Sequence, residues 1–196
     1  MRKIFILLVA TIFLTSCSVV NQLTGITAMS QSNYSFNSIS NVQLGGLNLG
    51  NASSISLSNI ASVATLLAGG GQQPIPFNMV LNMNVENPNP VAAILSGLGF
   101  DIAINDMHLT SGNINQPIQI DAGQTVVLPI SIGVDIRDLI SQHSQQQVSS
   151  TISSFLGITN NAANVTVRLR PTLMVGNVPV PSPVAIPVSF SFGGRN

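Results

Sequence analysis

Residues 77–90 read FNMVLNMNVENPNP, and the fold is decided there. Phe77, Met79, Leu81, Met83 and Val85 are apolar, Asn78, Asn82, Asn84 and Glu86 between them are polar, and only Val80 breaks the alternation. A period of two predicts an extended strand with one face in a core and the other toward water or a polar layer. Asn87-Pro88-Asn89-Pro90 then stops it. Proline has no N–H to extend a ladder, and the residue before each proline is pushed toward extended or turn geometry.

Outward from this strand the same period returns. Tyr34 to Leu49 is extended, with a bulge or bend expected at Gly45-Gly46. Phe100, Ile102 and Ile104 alternate up to a turn at Asn105-Asp106. Ile114, Ile118 and Ile120 make a broken strand that Pro117 confines to an edge. Asp121-Ala122-Gly123 is a turn, and Val126 to Val134 alternates for five positions. Val165 to Val175 is a further strand, with Gly176-Asn177 as a hairpin turn. The return strand carries Val178 and Val180, then Val184 to Phe192 after a proline-marked break. Val91 to Leu98 reads as a bend or one helical turn.

Two segments change period. Leu57, Ile60, Val63, Ala64 and Leu67 form a helical stripe that Ser56 or Ser58 would cap and Gly69 to Gly71 would end. Asp135 to Leu156 forms a second helix, capped by Asp135 and closed by Gly157, with a polar middle from Ser141 to Gln147 where it would break or lie exposed. With no βαβ rhythm, the chain is expected to be mainly β: an antiparallel sandwich of about seven strands with one or two accessory helices.

Composition narrows the function. Of 196 residues, 45% are hydrophobic, enough for a core, but only 6% are charged, far below the roughly 25% of a typical soluble domain. Asn, Gln, Ser and Thr carry the polar surface instead. Arg2 and Lys3 stand in the first residues, leaving four arginines against six carboxylates in the remainder. No basic patch could neutralise phosphates, and there is no tryptophan for base stacking, so nucleic acid is not an expected partner. The single cysteine rules out an intramolecular disulfide and any zinc site built on several cysteines.

That cysteine has a context. Arg2-Lys3 precedes the apolar run Ile4 to Leu14, too short for the roughly 20 residues of a membrane-spanning helix but suited to a secretory signal. The run ends in Leu14-Thr15-Ser16-Cys17, which resembles the lipobox of bacterial lipoproteins. The resemblance implies acyl chains on Cys17 and a membrane as partner. Several chains anchor stably where one is marginal, at about 0.8 kcal/mol per buried CH₂. Ser18 stands where Asp would signal inner-membrane retention, so the resemblance implies the outer membrane of a Gram-negative cell, facing the periplasm or the cell surface. The expected organisation is a signal peptide over 1–16, a lipidated cysteine and polar tether over 17–33, lifting the domain off the lipid, and the β domain over 34–196.

Val85-Glu86-Asn87-Pro88-Asn89-Pro90, then Phe100 to Asp106, Leu109-Thr110-Ser111-Gly112, Ile120 to Gly123 and the strand Val126 to Ile132 together resemble the late-embryogenesis-abundant type 2 proteins, the water-stress and hypersensitive-response (WHy) domain. The resemblance runs from about Phe36 to Phe192. It implies a fibronectin type III-like sandwich with a helix and no catalytic residues, Asn87, Pro88, Asn89 and Pro90 acting as a structural turn, and an association with desiccation and stress. Some relatives are suspected of holding lipid. The helices around Ile60 and His143 depart from that pattern.

The remaining chemistry is sparse. His108 and His143 have no second histidine at i+4 and read as surface or rim residues. Asp101, Asp106, Asp121, Asp135 and Asp138 fall at turns and caps, and Asp135 with Asp138 lacks the alternating oxygens of a calcium loop. No serine sits in a Gly-x-Ser-x-Gly elbow, and Gly69 to Gly71 lacks the Lys-Ser or Lys-Thr of a phosphate loop. Arg168 and Arg170 share a strand face that could meet an anionic headgroup or simply solvate the sheet. The expectation is a lipid-anchored, non-enzymatic envelope protein with no cofactor or metal, protective or binding in stress. Its rivals are a carrier or docking module for a hydrophobic ligand or envelope protein, with Leu57 to Leu67 lining a groove, and a structural subunit of a surface assembly whose edge strands pair between chains.

Overall fold

The computed structural model describes residues 31–50, 57–69, 73–175 and 178–194. The strands are β1 (Asn33–Leu44), β2 (Leu47–Gly50), β3 (Pro76–Glu86), β4 (Ala93–Leu95), β5 (Gly97–Ile104), β6 (Met107–Ile114), β7 (Ile118–Ile120), β8 (Thr125–Asp135), β9 (Ala163–Val175), β10 (Val178–Pro181) and β11 (Ile186–Phe192). The helices are α1 (Leu57–Ala68), α2 (Ile136–Gln142) and α3 (Gln145–Phe155). Seven strands are seven residues or longer; the other four have three or four residues.

One sheet runs β2-β1-β3-β8. The other runs β6-β5-β9, with β10 and β11 sharing the far edge of β9. All pairings are antiparallel. The mainly β, antiparallel class read from the alternation is the one observed, and the arrangement is sandwich-like. A single apolar core takes the inward residues of both sheets. Phe77, Met79, Leu81, Met83 and Val85 are all buried along β3, each worth about 1.5–3 kcal/mol as removed apolar surface. Facing them are Leu98, Ile102 and Ile104 of β5 and Val165, Val167 and Leu169 of β9. One edge is closed by Phe36 of β1 stacked on Phe190 of β11, with centroids 4.0 Å apart.

Several local expectations change. Val91 to Leu98 is not a helical turn: between bends at Val91 and Ser96 it contains β4, which pairs with β7 and turns Ala93 and Leu95 inward. The second helix does break within its polar middle: His143 adopts an extended conformation and Ser144 starts α3 as its cap, accepting from the Gln147 amide. Met107 to Ile114 is a full strand that the sequence reading passed over. Val184 is exposed in the connection between β10 and β11 rather than in a strand. Gly45-Gly46 is a hairpin turn with φ of 56° and 85°, the left-handed region that glycine enters without penalty. Asn105-Asp106 does the same between β5 and β6, with φ of 48° and 62°. Residues 176–177, read as a hairpin turn, lie outside the described residues; the strands they join do pair, Val175 opposite Val178.

The registers define two ends. Asn33, Glu86 and Thr125 lie together at one end of the first sheet, and Leu44, Phe77 and Val134 near the other. In the second sheet, β4 leads into Gly97, which lies opposite Thr172, and the Ser96 amide donates to the Thr172 carbonyl. The opposite, helix end is filled by aromatic rings: Phe155 of α3 stands 5.9 Å edge-on to Phe77 and 5.1 Å from Phe192.

Candidate functional site

The strand terminator is a buried hydrogen-bond hub. Asn87 is fully buried. Its Nδ2 donates to the carbonyls of Val91 (2.8 Å), Ile120 (2.9 Å) and Asp121 (3.2 Å), and its Oδ1 accepts from the Asn89 backbone amide and the Asn89 Nδ2. Its own amide donates to the Gln124 carbonyl, and its carbonyl accepts from Gly123. Pro88 and Pro90 are exposed around it. The hub joins β3, β4 and the β7–β8 connection, replacing ladder bonds that the prolines cannot make. This is a turn with structural work and no reacting group.

On the outer face of the second sheet, Asp101 of β5 lies opposite both Ser111 of β6 and Arg168 of β9. Arg168 Nη1 donates to Oδ1 at 3.0 Å, and Ser111 Oγ donates to Oδ2 at 3.1 Å. His108 Nε2 lies 3.1 Å from the same Oδ2 and 2.9 Å from Ser111 Oγ. His108 and Ser111, three apart, share this face because a bulge near Leu109 shifts the register. Partial burial opposes ionisation of Asp101, but the bonds from Arg168 and Ser111 and the neighbouring positive charges outweigh it, holding the carboxyl below its ordinary range. These are the residue types of a nucleophilic triad, wired differently. A triad needs the carboxylate on Nδ1 and the hydroxyl on Nε2; here both meet Nε2, and the serine proton points to the aspartate. The cluster is an exposed ion-pair network worth at most about 1 kcal/mol.

The outer face of the first sheet is a lattice of amides and hydroxyls. Asn37 Nδ2 donates to Asn84 Oδ1 at 2.9 Å, and Asn82 Nδ2 to Ser38 and Ser40 at 3.1 and 3.3 Å. No charge takes part in these bonds. Asp135, expected as a cap, accepts from the Arg137 amide and also from the Ile75 amide, both at 2.9 Å, so it fastens α2 to the start of β3. Among the described residues no group of three or more His, Cys, Asp or Glu could hold a metal.

Helix α1 covers the core with Val63 and Leu67, while Ala64 faces solvent. Beside it a surface groove of about 580 Å³ against α3 is lined by Leu67 and Ala68 on one side and Gln145, Ser149 and Ser153 on the other. A second, of about 480 Å³, lies between Leu66, Ile75 and Arg137, whose Nη2 donates to the Gly69 carbonyl. A third, of about 510 Å³, opens between β6 and β8. Cys17 and the leader lie outside the described residues. The cross-strand cluster escaped the sequence search because only the register puts Asp101 beside Ser111 and Arg168.

Comparison with known proteins now has a geometry to meet. Residues 1–18 match the prokaryotic membrane lipoprotein lipid attachment site. This supports membrane anchoring through lipid on a cysteine, of which the chain has one. No curated protein matches by sequence. Among solved structures, a protein from Archaeoglobus fulgidus is similar at 16% identity, covering 65% of this chain and 92% of its own, with a TM-score of 0.39. The solution structure of a late embryogenesis abundant (LEA) protein is similar at 12% identity, covering 86% and 75%, also with a TM-score of 0.39. A protein from Arabidopsis thaliana is similar at 11% identity, covering 64% and 76%, with a TM-score of 0.36. Residues 82–186, from the middle of β3 through the Asn87 hub to the start of β11, match the late embryogenesis abundant protein family model, LEA type 2. That match spans more than half of the chain, and this protein belongs to the LEA type 2 family.

Proposed function

We propose that this is a lipid-anchored, non-catalytic LEA type 2 protein of the cell envelope, held at the outer membrane by acyl chains on Cys17, where it protects the envelope during water loss. The observation that carries this reading is the coincidence in one chain of a lipid attachment site over 1–18 and the LEA type 2 match over 82–186. Ser18 supports the outer membrane. The amide and hydroxyl lattice supports a role at low water, because neutral donors and acceptors can hydrogen-bond lipid headgroups or glycans as water leaves. The wiring of Asp101, His108 and Ser111 supports a non-catalytic role.

The test uses the full-length acylated protein in phosphatidylethanolamine–phosphatidylglycerol vesicles carrying a trapped dye. Drying and rehydration is expected to release less dye than from vesicles mixed with the non-acylated Cys17→Ser protein. Equal release overturns the protective reading. A second reading, a carrier for a hydrophobic ligand, has the α1–α3 groove in its favour. Native mass spectrometry with solvent extraction decides it: a stoichiometric lipid released from the soluble Cys17→Ser protein would put the carrier first.

A further inference from the structure

The sandwich is open between β6 and β8. Among the described residues each strand ends its sheet, β6 pairing only with β5 and β8 only with β3. The groove of about 510 Å³ between them reaches inward to Phe100 of β5, one strand in from the edge. The ring comes out to that seam because residue 112 is glycine: a Cβ there would stand 2.5 Å from the ring's Cζ. Phe100 is set apart from the other phenylalanines of the described residues. Phe36, Phe77, Phe155, Phe190 and Phe192 each pack on another ring, whereas Phe100 meets none and stays partly exposed.

The rim of the groove is amide and hydroxyl. Thr110, Asn113, Asn115, Gln116 and Ser131 line it, and their side chains have no hydrogen-bond partner among the described residues. On the outer face of the first sheet the same residue types bond one another, Asn37 with Asn84 and Asn82 with Ser38 and Ser40. No charged side chain lines the groove, so nothing there would balance a phosphate, a carboxylate or a metal ion. The geometry points to a binding site for a neutral saccharide. A pyranose has a face of C–H bonds, whose partial positive charge suits the negative face of a phenyl ring. Its hydroxyls both donate and accept, and so do the amides and hydroxyls of the rim. An apolar floor with a few polar groups that fix orientation is the usual build of a small-molecule site, and the volume falls within the usual range of about 300–1,000 Å³. A lipid chain fits worse, because it would desolvate these amides and hydroxyls without pairing them. The inference goes beyond the protective reading above and does not rest on it.

The test is saturation-transfer NMR on the full-length acylated protein in phosphatidylethanolamine–phosphatidylglycerol vesicles, which carry no sugar. The probes are trehalose, maltohexaose and N-acetylchitotriose. Transfer to the C–H protons of at least one probe is expected. Asn113→Ala combined with Gln116→Ala should weaken that binding about tenfold, and Phe100→Leu at least as much. Asn37→Ala, on the first sheet, should change nothing. Asn113 and Gln116 are exposed, so their replacement leaves the fold intact, which circular dichroism checks, and the test holds even where Phe100→Leu fails to fold. Preference for trehalose supports the site and assigns a free disaccharide; preference for an oligomer supports it and assigns a glycan chain. No transfer to any probe overturns the proposal. Transfer that the Asn113 and Gln116 replacements leave unchanged places the sugar elsewhere and overturns it as well.

Discussion

The two ends of the first sheet are closed by different means. The helix end is apolar within and polar without: Phe77, Phe155 and Phe192 fill it, and Gln145, Gln146 and Asp138 face solvent. The Asn33 end keeps one amide inside: Asn87 holds three carbonyls among buried Val85, Ala93 and Ile120, while Glu86, Asp121, Gln124 and Ile94 stand outside. The first arrangement is what water selects. The second carries a buried amide, which contributes only its net hydrogen bonds and costs more when left unpaired. The difference teaches that one sheet can be closed by apolar packing at one end and by a buried hydrogen-bond hub at the other.

Three perturbations would break or sharpen this contrast. Phe155→Ala removes a fully buried ring and should cost about 3–5 kcal/mol in urea denaturation, with Phe155→Leu recovering much of it, as befits a packing defect. Asn87→Ala should cost about 3 kcal/mol by leaving the Val91, Ile120 and Asp121 carbonyls without their donor, and Asn87→Leu, similar in size, should recover none of it. If leucine rescues Asn87, the polar interior of that end is incidental. The smallest effect is spectroscopic. Tyr34, the one tyrosine, is partly buried near the Asn33 end, and that desolvation pushes its hydroxyl up to about 12. The unfolded chain ionises near 10, so this contribution to stability is complete below about pH 10 and is lost as pH rises toward 12. Phenolate absorbance of the folded protein should therefore rise near 12. A transition near 10 would mean that water reaches that interior.

Much of the helix end was legible. Its strands alternate cleanly, Asp135 is a capping residue in a capping position, and the polar run from Ser141 to Gln147 announces the break between α2 and α3. The Asn33 end was less so. Asn87 could be read as a stop but not as a hub, because Ile120 and Asp121 come from more than thirty residues away. β4 is only three residues, too short for any period to show. β6 was missed because Ser111, Gly112 and Asn113 dilute the alternation that Met107 and Leu109 begin. Val178 and Val180 carry a period-two pattern, but alternation reports extension and not exposure, and their strand runs past the sheet it would have been buried against.

The amide and hydroxyl lattice on the first sheet has a consequence in any solution that concentrates. As water leaves, dissolved ions concentrate, and the Debye length shrinks from about 8 Å at physiological ionic strength to about 3 Å at 1 M. Exposed ion pairs weaken along that path. The bonds from Asn37 to Asn84 and from Asn82 to Ser38 and Ser40 involve no net charge, so rising ionic strength leaves this face as it was.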